Sequence, residues 1–97
     1  MPDATPPTDA ELLRRSRRDP DSFVLLCQRH AGQLQGWLRS ELRTDVLARE
    51  VLAETFAEAW FAARRFRDPD DGSAGAWLQG IARNLVRRIR RSPVRLL

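Results

Sequence analysis

Residues 44–66 read TDVLAREVLAETFAEAWFAARRF, and this stretch decides the fold of the 97-residue chain. Its apolar side chains recur at steps of three and four residues, which places them on one face of an α-helix. Thr44 followed by Asp45 is a helix-capping signal, and residues 68–73 beyond the stretch form an acidic, Gly-containing loop signal. The sequence therefore predicts a long helix that ends near residue 65 or 66. Its apolar face consists of Leu47, Val51, Leu52, Phe56, Ala59, Trp60, Ala63 and Phe66.

Two helices are predicted before this stretch. Thr8, with Glu11 three residues later, is typical of a capping box and begins a short helix that runs to about Arg17. Pro20 suits the first turn of the second helix, because its missing N–H would have no intrahelical partner there. The apolar face of this second, long helix consists of Phe23, Leu26, Cys27, His30, Leu34, Trp37, Leu38 and Leu42.

A last helix is predicted from about Ala74 or Gly75 to the break at Ser92-Pro93. No segment shows the period-two alternation of a β-strand. The sequence therefore predicts an all-α fold, a compact bundle of three long helices plus a short N-terminal helix, over residues 8–91. Residues 1–7 are predicted to be a disordered leader. The buried stripe of the last helix consists of Trp77, Leu78, Ile81, Leu85 and Ile89.

The composition indicates a soluble globular protein, with 42% hydrophobic and 31% charged residues. Cys27 is the single cysteine, so no intrachain disulfide can form. The N-terminus lacks the basic start and apolar run of a signal peptide, and no apolar stretch approaches the length of a membrane span. We therefore expect a cytoplasmic protein that is monomeric when alone and makes no membrane contact.

Charge is distributed unevenly along the chain, whose net charge is +4 and whose basic residues are all arginine. Residues 75–97 contain arginines and no acid, whereas residues 43–74 are rich in acids. The arginine-rich last helix favours a polyanionic partner, because binding one relieves the repulsion between the arginines and releases counterions. The alternatives are a solvated basic face near a helix C-terminus and, less favoured, a membrane surface. One side of the last helix is predicted to carry Arg83, Arg87, Arg90 and Arg91.

The sequence gives little support for catalysis or for a bound cofactor or metal. His30 and Cys27 are the only His and Cys residues, and no other ligands accompany them. Glu50 and Glu54 lie four residues apart, a spacing typical of a solvated acidic face on a helix. There is no Gly-rich phosphate loop. We therefore expect a protein that is not an enzyme and needs no cofactor.

Three segments resemble conserved motifs of the extracytoplasmic-function (ECF) sigma factors. Residues 48–60, AREVLAETFAEAW, are similar to the family's AEDLVQETFLRAW, and residues 76–85, AWLQGIARNL, are similar to AWLYRIARNL. Residues 19–23 look like the family's GDxxAF motif. The order and spacing of the motifs also agree, over roughly residues 9–91. The resemblance implies the fold of conserved region 2 of the sigma-70 family, which binds core RNA polymerase and melts the promoter −10 element.

The resemblance also implies a polymerase-binding surface on the third helix. In the family this acidic helix docks on the clamp helices of the polymerase β′ subunit, and Glu50 and Glu54 match its acidic positions. Arg49 stands where the family usually has an acid, and Ala53 replaces a common Gln. These four residues are the polymerase-binding candidates.

The helical spacing assigns Phe56, Trp60 and, in the last helix, Trp77 to the core.

The DNA-binding residues are implied in the same way. In the family, the loop before the last helix captures a base flipped out of the non-template strand of the −10 element. Asn84 matches a polar position that faces bases, and its amide can pair with an adenine edge. The arginines would hold phosphates and set register, and Arg88 stands where the family usually has Asp. The DNA-binding candidates are Arg67, Ser73, Gln79, Arg83, Asn84, Arg87, Arg88 and Arg91.

Two alternatives to a promoter-melting domain stay open. Full members of the family continue through a linker, which residues 92–97 resemble, into a second helical domain that reads the −35 element. Without that domain, the chain would act as an interaction module that binds an anti-sigma factor or another regulator and has no promoter activity. The second alternative is a general basic nucleic-acid binder, which needs only the arginine-rich end.

Overall fold

Four α-helices form the part of the protein that the computed structural model describes, residues 5–91. Residues 1–4 and 92–97, which include most of the expected leader and all of the expected linker, lie outside the described residues. No strand occurs within residues 5–91, so the prediction of an all-α bundle is confirmed. The helices are α1 (Asp9–Arg15), α2 (Pro20–Leu42), α3 (Asp45–Ala62) and α4 (Gly75–Arg91).

Side-chain caps fix the starts of α1 and α3 as the sequence predicts. The Thr8 hydroxyl accepts a hydrogen bond from the Glu11 N–H at 3.1 Å, and the Thr44 hydroxyl accepts one from the Leu47 N–H at 3.1 Å. Each bond satisfies a backbone donor that has no partner inside its helix. α1 ends at Arg15, two residues before the predicted Arg17.

The end of α3 tightens before the chain leaves the helix. Its α-helical part stops at Ala62, and a single 3₁₀ turn spans Ala63–Arg65. Helical structure therefore ends where the sequence predicts. Residues 66–74 then form the connection to α4, as the loop signal indicates.

The core forms where α2, α3 and α4 meet, and α1 packs on α2. Leu26, Leu38 and Leu78 are completely buried. Between these leucines lie buried alanines, which let helix backbones approach closely: Ala48, Ala59 and Ala82. The predicted apolar stripes therefore face the core.

The tryptophans expected in the core are half-buried and packed against other rings. Trp60 meets Phe23 edge to face, with ring centroids 5.1 Å apart, and Trp77 meets Phe66 in the same way at 5.2 Å. Both contacts connect different elements, because Phe23 belongs to α2 and Phe66 to the loop after α3. Trp77 packs against the core, as expected, whereas Trp60 is half-buried and packs on Phe23, which itself contacts the core.

Candidate functional site

A buried carboxylate joins α1 to the loop that leads into α4. The Asp9 side chain is only 7% exposed. Its Oδ2 accepts hydrogen bonds from the Ala74 backbone N–H at 2.8 Å and from His30 Nε2 at 2.7 Å, and its Oδ1 accepts one from Arg29 at 3.2 Å. The carboxylate thus connects α1, α2 and the start of α4.

Opposing influences act on the pKa of Asp9. Burial raises the pKa, because it penalises the charged form. The hydrogen bond from the Ala74 N–H, the hydrogen bond and electrostatic interaction with His30, and the hydrogen bond from Arg29 lower it, and together they prevail. The pKa of Asp9 therefore lies below its ordinary value, and the carboxylate is ionised at neutral pH.

Backbone contacts fix the same loop to α1. The Ala10 N–H donates to the Gly72 carbonyl at 3.0 Å. Gly72 has a positive φ of 74°, and a Cβ at this position would come within 2.9 Å of the Thr8 Cβ. Glycine is therefore required here both by backbone conformation and by the close approach of α1.

Polar side chains of the loop cap the N-terminus of α4. The Asp71 carboxylate accepts a hydrogen bond from the Ser73 N–H at 3.0 Å, and the Ser73 hydroxyl accepts one from the Gly75 N–H at 3.1 Å. The Asp71 carboxylate thus stabilises the loop itself, a role that the sequence alone did not indicate.

A cavity of about 460 Å³ lies between α2 and the N-terminal half of α4. Three of the residues implied by the family resemblance, Ser73, Gln79 and Arg83, line it together. His30 and Gln33 of α2 also line it and were not predicted as site residues, because they lie at least 40 positions before Ser73 in the sequence. The remaining lining residues are Leu34, Gly75 and Ala76.

The exposed face of α4 adjoins this cavity and carries basic side chains that form no ion pair within residues 5–91. Arg83, Asn84 and Arg87 line a shallow groove on it, and Arg91 follows one turn after Arg87 and is exposed. The Arg83 guanidinium lies 5.9 Å from the centre of the Trp37 ring of α2, a cation–π contact that orients it. Arg67, also implied as a DNA contact, is exposed in the loop.

Acidic residues hold two other arginines of α4 at its flanks. Arg88 pairs with Glu58 of α3 at 3.4 Å. Arg90 pairs with Glu41 of α2 at 3.0 Å and also donates to the Glu41 carbonyl. Arg90 is therefore exposed but already paired, because a flanking helix supplies a partner that the sequence of α4 does not contain.

The exposed face of α3 carries the other group of implied residues. Arg49, Glu50, Ala53 and Glu54 are all exposed. Phe61, two turns after Glu54, is 75% exposed and was not predicted as a site residue. In the sequence, Phe61 lies outside the apolar stripe of α3 and on the same side of the helix as Glu54. That position is the signal that would have identified Phe61 as an exposed site residue. The acidic face of α3 thus has an exposed aromatic side chain at its end.

Comparison with protein families matches residues 26–95 of the chain to the model of sigma-70 region 2. The chain belongs to the sigma-70 region 2 family. This family acts in transcription initiation, through RNA polymerase binding and promoter recognition, and is not an enzyme family. Comparison with curated proteins and with solved structures returns no match.

The match places α3 and α4 inside the sigma-70 region 2 domain, together with the part of α2 from Leu26 onward. α1 and Asp9 precede it, so the carboxylate that holds the loop lies outside the matched region. None of the helices within residues 5–91 combines the length and the apolar composition that a membrane span requires. Those residues also contain no group of three or more His, Cys, Asp or Glu side chains that could hold a metal ion.

Proposed function

We propose that this sigma-70 region 2 domain is of the ECF type, docks on the β′ clamp of core RNA polymerase through α3, and recognises and melts the promoter −10 element through α4 and the loop before it. The observation that carries the proposal is the pair of exposed faces with opposite charge. Glu50 and Glu54 stand on the exposed face of α3, and Arg83, Arg87 and Arg91 stand on that of α4.

The cavity beside α4 supports base capture from the non-template strand. Extracting a base from the duplex costs a few kcal/mol of unstacking, which a binding pocket must offset. His30, Gln33 and Gln79 line the cavity, and their side chains carry ring-nitrogen and amide groups of the kind that can hydrogen-bond to the edge of a base. Ser73 and Arg83 connect the cavity to the loop and to the basic face of α4.

The ion pairs of α4 predict unequal roles for two adjacent arginines. Arg87→Ala should weaken binding of single-stranded −10 DNA and reduce the slope of log K against log salt by about 0.7, the value for one phosphate contact on a single strand. Arg88→Ala is the matched control and should have a smaller effect, because Glu58 already pairs with Arg88. Fluorescence anisotropy at several salt concentrations measures both slopes. Equal losses in the two variants would contradict this assignment.

The exposed Phe61 predicts an apolar contact in polymerase docking. Phe61→Ala should reduce affinity for core RNA polymerase about tenfold, since buried aromatic side chains are frequent hot spots in protein interfaces. Its thermal stability should stay close to wild type, because the ring is already 75% exposed in the free domain. Val24→Ala on α2, where the valine is 50% exposed, is the control for loss of a surface apolar group. Unchanged polymerase affinity for Phe61→Ala would remove Phe61 from the proposed docking surface.

A second candidate function is an interaction module that binds an anti-sigma factor or another regulator. The observation that favours it is the exposed α3 face, where Arg49 and Ala53 depart from the acidic residue and the Gln usual in the family. Titrating labelled protein with core RNA polymerase, with and without single-stranded −10 DNA, distinguishes the two functions. Saturable polymerase binding supports the promoter-melting function, and its absence at micromolar polymerase supports the interaction module.

The hypothesis of a general basic nucleic-acid binder predicts a different result in the same titration. Phosphate contacts alone weaken steeply with salt and carry no sequence information. A preference for −10 DNA over a scrambled strand of equal length, retained when salt is raised, would exclude it.

A further inference from the structure

A second cleft, of about 320 Å³, lies between α1 and the end of α3. It shares no lining residue with the cavity beside α4 or with the groove on the exposed face of α4. Half of its lining comes from residues that precede the sigma-70 region 2 match. We call it the arginine cleft, and its lining residues are Ala10, Leu13, Arg14, Arg17, Ala63, Arg64, Phe66 and Asp68.

The arginine cleft has an apolar floor. Ala10 and Leu13 are buried in α1, and Ala63 and Phe66 contribute half-buried apolar surface from the end of α3 and the loop. None of these side chains carries a hydrogen-bond donor or acceptor. The floor therefore suits an apolar group of a ligand and offers nothing that would read the polar edge of a base.

The rim of the cleft is predominantly basic. Arg14 and Arg64 are exposed, and neither side chain has an ion pair or hydrogen bond within residues 5–91. Arg17 is held in place, because its guanidinium lies 4.8 Å from the centre of the Trp60 ring and donates to the Trp60 carbonyl at 3.4 Å. Asp68 is the one acid in the lining. Three guanidinium groups around an apolar floor favour a ligand that combines carboxylates with an apolar side chain.

The aromatic rings near the cleft argue against single-stranded nucleic acid as the ligand. Sequence-tolerant strand binding depends on aromatic faces on which bases stack. The Trp60 ring is covered by Arg17 and contacted by Phe23, and the Phe66 ring packs against Trp77. Both rings thus already have partners inside the protein.

We propose that the arginine cleft docks an acidic peptide segment of a protein partner. An apolar side chain of that segment packs on Leu13 and Ala63, and flanking carboxylates pair with Arg14, Arg17 and Arg64. Asp68 repels a carboxylate on its own side of the cleft and so restricts the orientation of the segment. This site is separate from the DNA-binding and polymerase-binding faces proposed above and does not depend on either assignment.

The test uses the full chain and a defined probe, a ten-residue peptide with one central leucine between runs of glutamate. Titration followed by two-dimensional amide NMR reports both affinity and location. The expected result is saturable shift changes centred on Ala10, Leu13 and Ala63. Replacing the leucine of the probe with serine should weaken binding about tenfold, because the apolar floor then has no partner.

Two adjacent arginines provide matched protein variants. Arg64→Glu, which reverses a charge on the rim, should weaken peptide binding at least about tenfold. Arg65→Glu changes the net charge equally but lies outside the cleft lining, and it should have little effect. Equal losses in the two variants, shift changes centred on α4, or no saturable binding at millimolar peptide would each overturn the proposal. A ten-nucleotide single strand that displaces the peptide from the same amides would also overturn it, in favour of a nucleic-acid subsite.

Discussion

Asp9→Ala is expected to lower the free energy of unfolding by about 2 to 3 kcal/mol, because it leaves the buried Ala74 N–H without its acceptor and removes the partner of His30 and Arg29. For a domain of this size the midpoint of thermal unfolding should fall by about 10 °C or more. Urea denaturation measures the free energy, and thermal unfolding followed by circular dichroism measures the midpoint.

The control for this substitution is Asp19→Ala. Asp19, like Asp9, lies at a helix N-terminus, but it is exposed, and within residues 5–91 its side chain bonds only to the Ser22 hydroxyl. Asp19→Ala should therefore lower the free energy of unfolding clearly less than Asp9→Ala does. Equal stability of wild type and Asp9→Ala would mean that the carboxylate does not hold α1 and the loop together.

The lowered pKa of Asp9 also predicts how stability depends on pH. A carboxyl group whose pKa is lower in the folded than in the unfolded protein stabilises the fold above its unfolded pKa, and this contribution is lost as pH falls through the folded pKa. The ordinary pKa of the group is 3.8. The stability difference between wild type and Asp9→Asn should therefore be largest above about pH 4 and shrink at lower pH. A difference that stays constant down to pH 2 would show that the charge of Asp9 is not what stabilises the fold.

Asp9 has a second consequence, which rests on the proposed function. The loop that it holds leads directly into the cavity and the basic face of α4. Loosening that loop should weaken binding of single-stranded −10 DNA under conditions where Asp9→Ala is still folded. Polymerase binding through α3 should be less affected, because α3 makes none of the contacts of Asp9.

Simultaneous Glu50→Arg and Glu54→Arg substitution is expected to reduce affinity for core RNA polymerase by more than about 100-fold. Reversing two charges in one interface replaces attraction by repulsion, and losses of about 2 to 5 kcal/mol are typical for a charge pair buried in an interface. Both residues are exposed, and neither has an ion pair within residues 5–91. The fold should therefore tolerate the change, as circular dichroism can verify. The affinity is measured by titrating labelled protein with polymerase.

A variant with the same change in net charge separates docking from long-range electrostatics. Asp21→Arg with Asp70→Arg places the new charges on α2 and in the loop, at exposed positions outside the α3 face. It should retain most of the polymerase affinity. If the Glu50 and Glu54 reversal left binding intact, the α3 face would not be the docking surface and the interaction-module function would be favoured.

The local patterns of the sequence were sufficient to predict the helices and to indicate the family. The leucine spacing of α2, the Thr8 and Thr44 caps, and the loop after Phe66 all correspond to observed features. These signals act over three or four residues, because a helical turn brings such neighbours together whatever the rest of the chain does. The motif resemblance agrees with the region 2 match for the same reason, since both depend on short, ordered stretches of sequence.

The tertiary structure alone decided which polar groups meet. Asp9 reaches the Ala74 N–H across 65 positions, and Arg90 reaches Glu41 across 49. His30 joins Gln79 in one cavity only because α2 packs beside α4. No periodicity in the sequence specifies these pairings, because they depend on the angle and register at which whole helices pack. The sequence by itself thus determined the helices and the family, whereas helix packing determined which charges are neutralised, which stay free to bind a partner, and where the cavities lie.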